Sequence, residues 1–229
     1  MVLFNQTGQE ARLTDIPKAE ALRYLGVRGN PDPVLLSDLS RCEALLRREI
    51  RPRAAWSLMT LEKDGRIGNT RMRLEGRDIR RHLRGCSHVI LMAATLGAAS
   101  ETLLRRAQAR SMADAVLLDA LGSAAIENIC DNLCDDLAKA FAPRRLTARF
   151  SPGYGDFPLE EQAALCAALD LERRAGVSLT PGGLMIPQKT VTAVIGVGGS
   201  ASEEARRCGA CAFFTACPYR KEGATCDDG

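Results

Sequence analysis

The side chains best placed to do chemistry sit together in Arg149-Phe150-Ser151-Pro152-Gly153-Tyr154-Gly155-Asp156-Phe157-Pro158. A short strand over residues 147–150 delivers Arg149 to a loop that its glycines and prolines make stiff and irregular. Backbone amides and carbonyls in such a loop become available to a ligand. A planar guanidinium beside them is a natural clamp for a carboxylate, because its fork takes both oxygens at once, and Tyr154 adds a ring edge or a hydroxyl. The same residues also make an ordinary connector in which Arg149 pairs with Asp156 at the surface, and composition alone favours the connector.

A second group of reactive side chains crowds the C-terminus. Cys208, Cys211, Cys217 and Cys226 have the number of a four-thiolate site, and Cys208-x2-Cys211 is the tight half that a metal knuckle needs. Cys217-Pro218 is similar to the Cys-Pro ending of iron–sulfur motifs. A metal is expected over unbound thiols: zinc would be a structural staple, an iron–sulfur cluster an inlet for electrons. The spacing does not choose between them, and Cys226, in a Gly- and Asp-rich end, is the weakest ligand. The other cysteines (Cys42, Cys86, Cys130, Cys134 and Cys166) lie mostly among Ala and Leu at helical spacings and read as small core residues. Cysteine usage of this kind points away from a disulfide framework and towards an intracellular chain.

Other chemistries find no support. His82 and His88 are the only histidines, so a His-based acid/base pair or a His-rich metal site is not expected. His88 starts a buried strand and His82 ends an arginine-rich helix, which makes both structural. There is no Walker loop, no HExxH and no GxSxG. Gly196-Val197-Gly198-Gly199 lacks dinucleotide spacing. The chain carries 31 basic and 28 acidic residues, a net charge of +3, and only 4% aromatics, so neither nucleic-acid binding nor base stacking is expected. Its basic clusters, residues 47–53 and 71–84, are interleaved with acids and read as solvated faces; docking onto an acidic protein is the weaker alternative. The 46% apolar content over 229 residues is enough for a real core. The longest apolar runs are far short of the ~20 residues of a membrane span, no secretory segment is visible, and a cytoplasmic protein is expected.

The elements that must position the loop follow from periodicity. Residues 16–25 and 33–50 read as helices, the second with Asp32 and Pro33 as start signals. Segments 54–62 and 66–74 flank Lys63-Asp64-Gly65 and read as a hairpin. A short helix over 78–83 leads to a buried strand at 88–94, and long helices follow over 98–110 and 111–141. A helix over 159–175, a turn at 181–183 and a β-branched strand over 190–197 complete the chain. Strands paired as a hairpin, together with strands separated by helices, predict a single α+β domain with a twisted mixed or antiparallel sheet and several long helices. The expected division is residues 1–203 as this domain and 204–229 as a Cys-rich tail.

The segment from Arg149 to Leu159 resembles the S-adenosylmethionine-binding segment of the reactivation domain of cobalamin-dependent methionine synthase, in its free-standing form. The likeness extends through residues 91–97, 118–127, 176–180 and 185–192. It implies a domain that binds S-adenosylmethionine and caps the cobalamin carried by a partner, a methionine synthase lacking its own reactivation domain. An electron from a donor such as flavodoxin or ferredoxin and the methyl of S-adenosylmethionine would then restore methylcobalamin from inert cob(II)alamin, in support of methionine biosynthesis. The family's Arg-x-x-x-Gly-Tyr motif falls on Arg149, Ser151, Gly153 and Tyr154. The arginine would hold the methionine carboxylate, the Ser151 and Gly153 backbone its polar groups, and Tyr154 would approach the corrin. A family glutamate corresponds to Glu127, facing the ligand's ammonium. The family's N-terminal acid falls on Asp32 or Asp38, and its tyrosine after the last strand has no match here. Methyl transfer to such a cofactor asks for position and exclusion of water, so no catalytic residue is expected. The readings from other classes are an iron–sulfur or zinc protein that donates electrons or acts as a scaffold, and a reactivator of a different corrinoid methyltransferase.

Overall fold

The apolar run His88–Thr95 is buried along nearly its whole length because both of its faces are covered. Successive side chains of a strand point to opposite faces, so a strand packed on both sides has no polar face to show. The computed structural model describes residues 5–198. These form β1 (Asn5–Glu10), α1 (Lys18–Tyr24), α2 (Pro33–Glu49), β2 (Arg53–Thr60), α3 (Arg77–His82), β3 (His88–Thr95), α4 (Ala98–Arg110) and α5 (Met112–Ala140). There follow α6 (Glu161–Leu169), α7 (Leu171–Ala175), β4 (Ser178–Leu179), β5 (Met185–Ile186) and β6 (Thr190–Val197).

The main sheet has the order β1-β2-β3-β6, and β4 pairs with β5 apart from it. Every pairing is antiparallel, which resolves the mixed-or-antiparallel expectation. The register Trp56↔Met92↔Ala193 sends those side chains to one face, where they meet the buried sides of α2, α4 and α5. Ala55↔Ala93 and Leu91↔Val194 point to the other face, packed under Ile67, Met72, Leu74, Ile79, Phe157 and Leu165. The result is an α+β domain of three layers: long helices, sheet, then short helices with loops.

Helix starts follow their local chemistry. The Asp32 carboxylate accepts the Val34 N–H at 2.7 Å with Pro33 in the first turn, and the Ser111 hydroxyl accepts the Asp114 N–H at 3.2 Å to open α5. Several sequence readings need correction. The hairpin arm over 66–74 is not a strand: it makes only the bridges Leu61↔Ile67 and Arg66↔Arg73. Ile67, Met72 and Leu74 all point inwards, at 0%, 1% and 1% exposure, and their mixed parity cannot be buried by one alternating strand. The helix over 159–175 breaks in two at Asp170, whose φ of 51° is left-handed. The strand β1 was not legible because Asn5–Glu10 is polar throughout.

The expected strand at 147–150 is a β-bulge. Leu146 bridges Val197 and Phe150 bridges Val194, so four steps on one side oppose three on β6. Phe150 and Val194 exchange both backbone hydrogen bonds, at 3.0 and 2.9 Å. The Thr147 hydroxyl accepts the Gly196 N–H at 2.8 Å where the ladder is disrupted.

Candidate functional site

The bulged segment brings Arg149 to α5. Phe150 faces the loop side of the sheet, so its neighbour Arg149 faces the helix side. There α5 offers Glu127, Cys130, Asp131 and Cys134, spaced three and four residues apart on one helix stripe. Nη2 of Arg149 donates to Glu127 Oε2 at 2.9 Å and lies 3.0 Å from Asp131 Oδ1. Nη1 is buried and has no hydrogen-bond partner among the described residues. The Arg149 side chain is 22% exposed, against 42% for Glu127 and 68% for Asp131. One nitrogen of the fork is therefore doubly occupied by acids that reach the surface, and the other is desolvated and vacant.

Burial opposes the Arg149 charge, and the surrounding Cys130, Glu127, Cys134 and Asp131 outweigh it, holding the guanidinium above its ordinary value. Burial pushes the Cys130 thiol up to about 12, with the nearby guanidinium only partly offsetting it. A thiol in that state is neutral packing and no nucleophile.

Tyr154 stands at the tip of the loop, 66% exposed. The loop is closed from inside: Tyr154 N–H donates to Ser151 O at 3.1 Å, Phe157 N–H to Tyr154 O at 3.0 Å, and Gly153 N–H to Phe157 O at 2.9 Å. Gly153 has φ 89°, which favours glycine. Its N–H is committed, so of the Ser151 and Gly153 backbone groups the Ser151 N–H and the Gly153 carbonyl are without a partner among the described residues. Asp156 does not pair with Arg149. Its carboxylate accepts the Arg77 and Asp78 N–H groups at 2.7 and 2.9 Å, capping α3 from a distance, and those bonds hold its acidity below the usual carboxylate range. The connector reading loses its ion pair.

The structure thus joins Arg149 to Glu127, and closes Ser151, Gly153 and Tyr154 into the turn that follows Arg149 in the chain. Asp32 and Asp38 are elsewhere: Asp32 caps α2, and Asp38 pairs with Arg41, which also holds Asp114. Asp114 lies thirteen residues before Glu127 on α5, about 20 Å along a helix axis. Cys208, Cys211, Cys217 and Cys226 fall outside the described residues, as does the proposed boundary at 203. Sequence reasoning missed Asp131, although its i+4 spacing from Glu127 was the signal. It also gave His82 no particular task. Its Nε2 lies 2.8 Å from Ala148 O and its ring lies 5.1 Å from that of Phe150 at a tilt of 42°, so it braces the bulged segment that carries Arg149.

No family model matches the chain, and a search of the curated proteins finds no match. Among solved structures the chain is similar to the crystal structure of the MetH reactivation domain bound to AdoHcy, with a TM-score of 0.64. The likeness covers 88% of this chain and 80% of that one, at 17% identity. The fold is that of a MetH reactivation domain. No helix among the described residues is long and apolar enough to cross a membrane. Within this fold the two carboxylates on Nη2 of Arg149 reach the surface of the helical layer, while Nη1 lies buried beneath them.

Proposed function

We propose that this chain binds S-adenosylmethionine at Arg149 and serves as a stand-alone reactivation subunit for a cobalamin-dependent methionine synthase that lacks such a domain. The observation that carries the reading is the buried Nη1 of Arg149 with no partner, beside an Nη2 already facing two carboxylates. A lone buried donor is costly, and an incoming carboxylate removes that cost. A zwitterion suits this arrangement, because Glu127 offers an anion for the ammonium on the exposed side of the same guanidinium. The Ser151 N–H and Gly153 carbonyl remain for the ligand's other polar groups. Tyr154 is placed to meet a flat ring system brought by the partner. The fold supports the reading independently, since the similar solved domain is described as bound to AdoHcy.

S-adenosylmethionine supplies an activated methyl group, and the partner's cobalamin supplies the nucleophile. This chain's residues orient the amino-acid end and shield the approach from water, which is where positioning lowers a barrier without a general base. The reading leaves the electron to a separate donor, flavodoxin or ferredoxin in type.

Calorimetry tests it. The wild-type chain is expected to bind S-adenosylmethionine, and Arg149→Ala to weaken binding ~30-fold, as loss of a charge-assisted contact to a buried group requires. No binding by the folded wild-type chain, or unchanged binding by Arg149→Ala, would reject the proposal.

A further inference from the structure

An amino-acid end held at Arg149 leaves the nucleoside of the ligand to be placed, and adenine wants an aromatic surface. Among the described residues Tyr24 and Tyr154 are the only tyrosines, at 46% and 66% exposure, while Trp56 and Phe157 are buried at 8% and 1%. Tyr154 sits on the loop tip that the reading above directs at the partner. Tyr24 ends α1, which packs against α5. The approach to α1 is tied to the residue next to Glu127: the N–H groups of Thr14 and Asp15 donate to Asn128 Oδ1 at 3.2 and 3.3 Å. One face of the Tyr24 ring is covered by the Arg23 guanidinium, 5.2 Å from the centroid, and Arg23 is itself anchored on Glu20 at 2.6 Å. The ring is therefore braced from behind yet nearly half exposed. Burial, then the Glu127 and Glu20 carboxylates, raise its hydroxyl above the usual phenol range, with Arg23 acting the other way and Tyr154 adding least.

We infer that Tyr24 is a specificity-determining residue that stacks on the adenine of the ligand and forms the wall of the site opposite Tyr154. The inference rests on the S-adenosylmethionine reading and adds the group that separates this ligand from a plain amino acid. A braced ring gives stacking with little ordering cost, since it is held before the ligand arrives. The hydroxyl is not needed for stacking.

The test compares S-adenosylmethionine with S-methylmethionine, which keeps the carboxylate, ammonium and sulfonium but has no nucleoside. Calorimetry on the full chain is expected to show Tyr24→Ala weakening S-adenosylmethionine about tenfold, in the range of one lost base–aromatic stack. Tyr24→Phe is expected to stay within about twofold of wild type, and S-methylmethionine to bind all these proteins equally. Wild-type affinity for S-adenosylmethionine in Tyr24→Ala overturns the inference and leaves the Arg149 reading standing. An equal loss for both ligands also overturns it, because Tyr24 would then act on the amino-acid end. Failure of the wild-type chain to bind S-adenosylmethionine removes the parent reading as well.

Discussion

Arg149 is held by an uneven arrangement of charge. Two carboxylates meet one nitrogen, and each of them is more exposed than the guanidinium they hold. Solvent screens such pairs, so Glu127→Gln or Asp131→Asn alone is expected to cost about 1 kcal/mol or less. Removing both leaves a mostly buried cation with no anion, and the double variant is expected to lose about 3 kcal/mol, more than the two singles combined. Urea midpoints of the four proteins check this; strict additivity would mean that Arg149 swings out to water. At this scale the sequence was informative where chemistry is local. Arg149, Gly153 and Tyr154 lie in one segment, and Gly153 and Tyr154 share the turn that follows Arg149. The Arg149–Asp156 pair failed because Asp156 satisfies two N–H groups of α3, a helix more than seventy residues away in the chain. Composition cannot reveal such a distant cap.

The loop and α3 are fitted to each other at the level of elements. A Cβ on Gly155, at φ 53°, would meet Asp78 Oδ2 at 2.5 Å, and one on Gly76, at φ 121°, would meet Asp156 O at 2.7 Å. Gly155→Ala is expected to destabilise by about 1–3 kcal/mol through backbone strain and crowding. It should also weaken S-adenosylmethionine binding, because the turn that presents Tyr154 is displaced. Thermal melts and titrations on the same variant measure both; an unchanged melting temperature would show the loop rigid for other reasons. Helices were legible because their apolar spacing repeats: α2, α4 and α5 begin and end within a residue or so of the expected bounds. The segment over 66–74 misled because an Asp-Gly turn between apolar stretches signals a hairpin. Here Asp64 instead accepts the Arg66 N–H at 3.2 Å, and the segment folds over the sheet as a cover.

For the molecule as a whole, a layered arrangement with both sheet faces covered half-buries one titratable ring that matters to pH. Burial holds His82 below the ordinary histidine value of 6.5, with its hydrogen bond to Ala148 O acting weakly the other way. The unfolded chain takes up the proton more readily than the folded one. Stability is therefore full above about pH 6.5 and declines as pH falls through that value towards the folded one. His82→Gln is expected to flatten this decline, read as the pH dependence of the urea midpoint between about pH 5 and 7. A wild-type midpoint that does not fall across that window would contradict the burial argument. The α+β class was legible from the mixture of hairpin and helix-separated strands. The all-antiparallel order was not, since pairing partners far apart in sequence leave no local trace.

The extra residue between Leu146 and Phe150 has a bearing on how this chain tolerates change in length. Leu146 packs with the helical layer and Phe150 with the loop layer, and both depend on that surplus position. Deleting any one residue from 147 to 149 forces a choice: either a leucine or a phenylalanine is turned out of its layer, or the strand slips and the guanidinium changes sides. Natural variants of this protein should accordingly hold the distance from Leu146 to Phe150 constant.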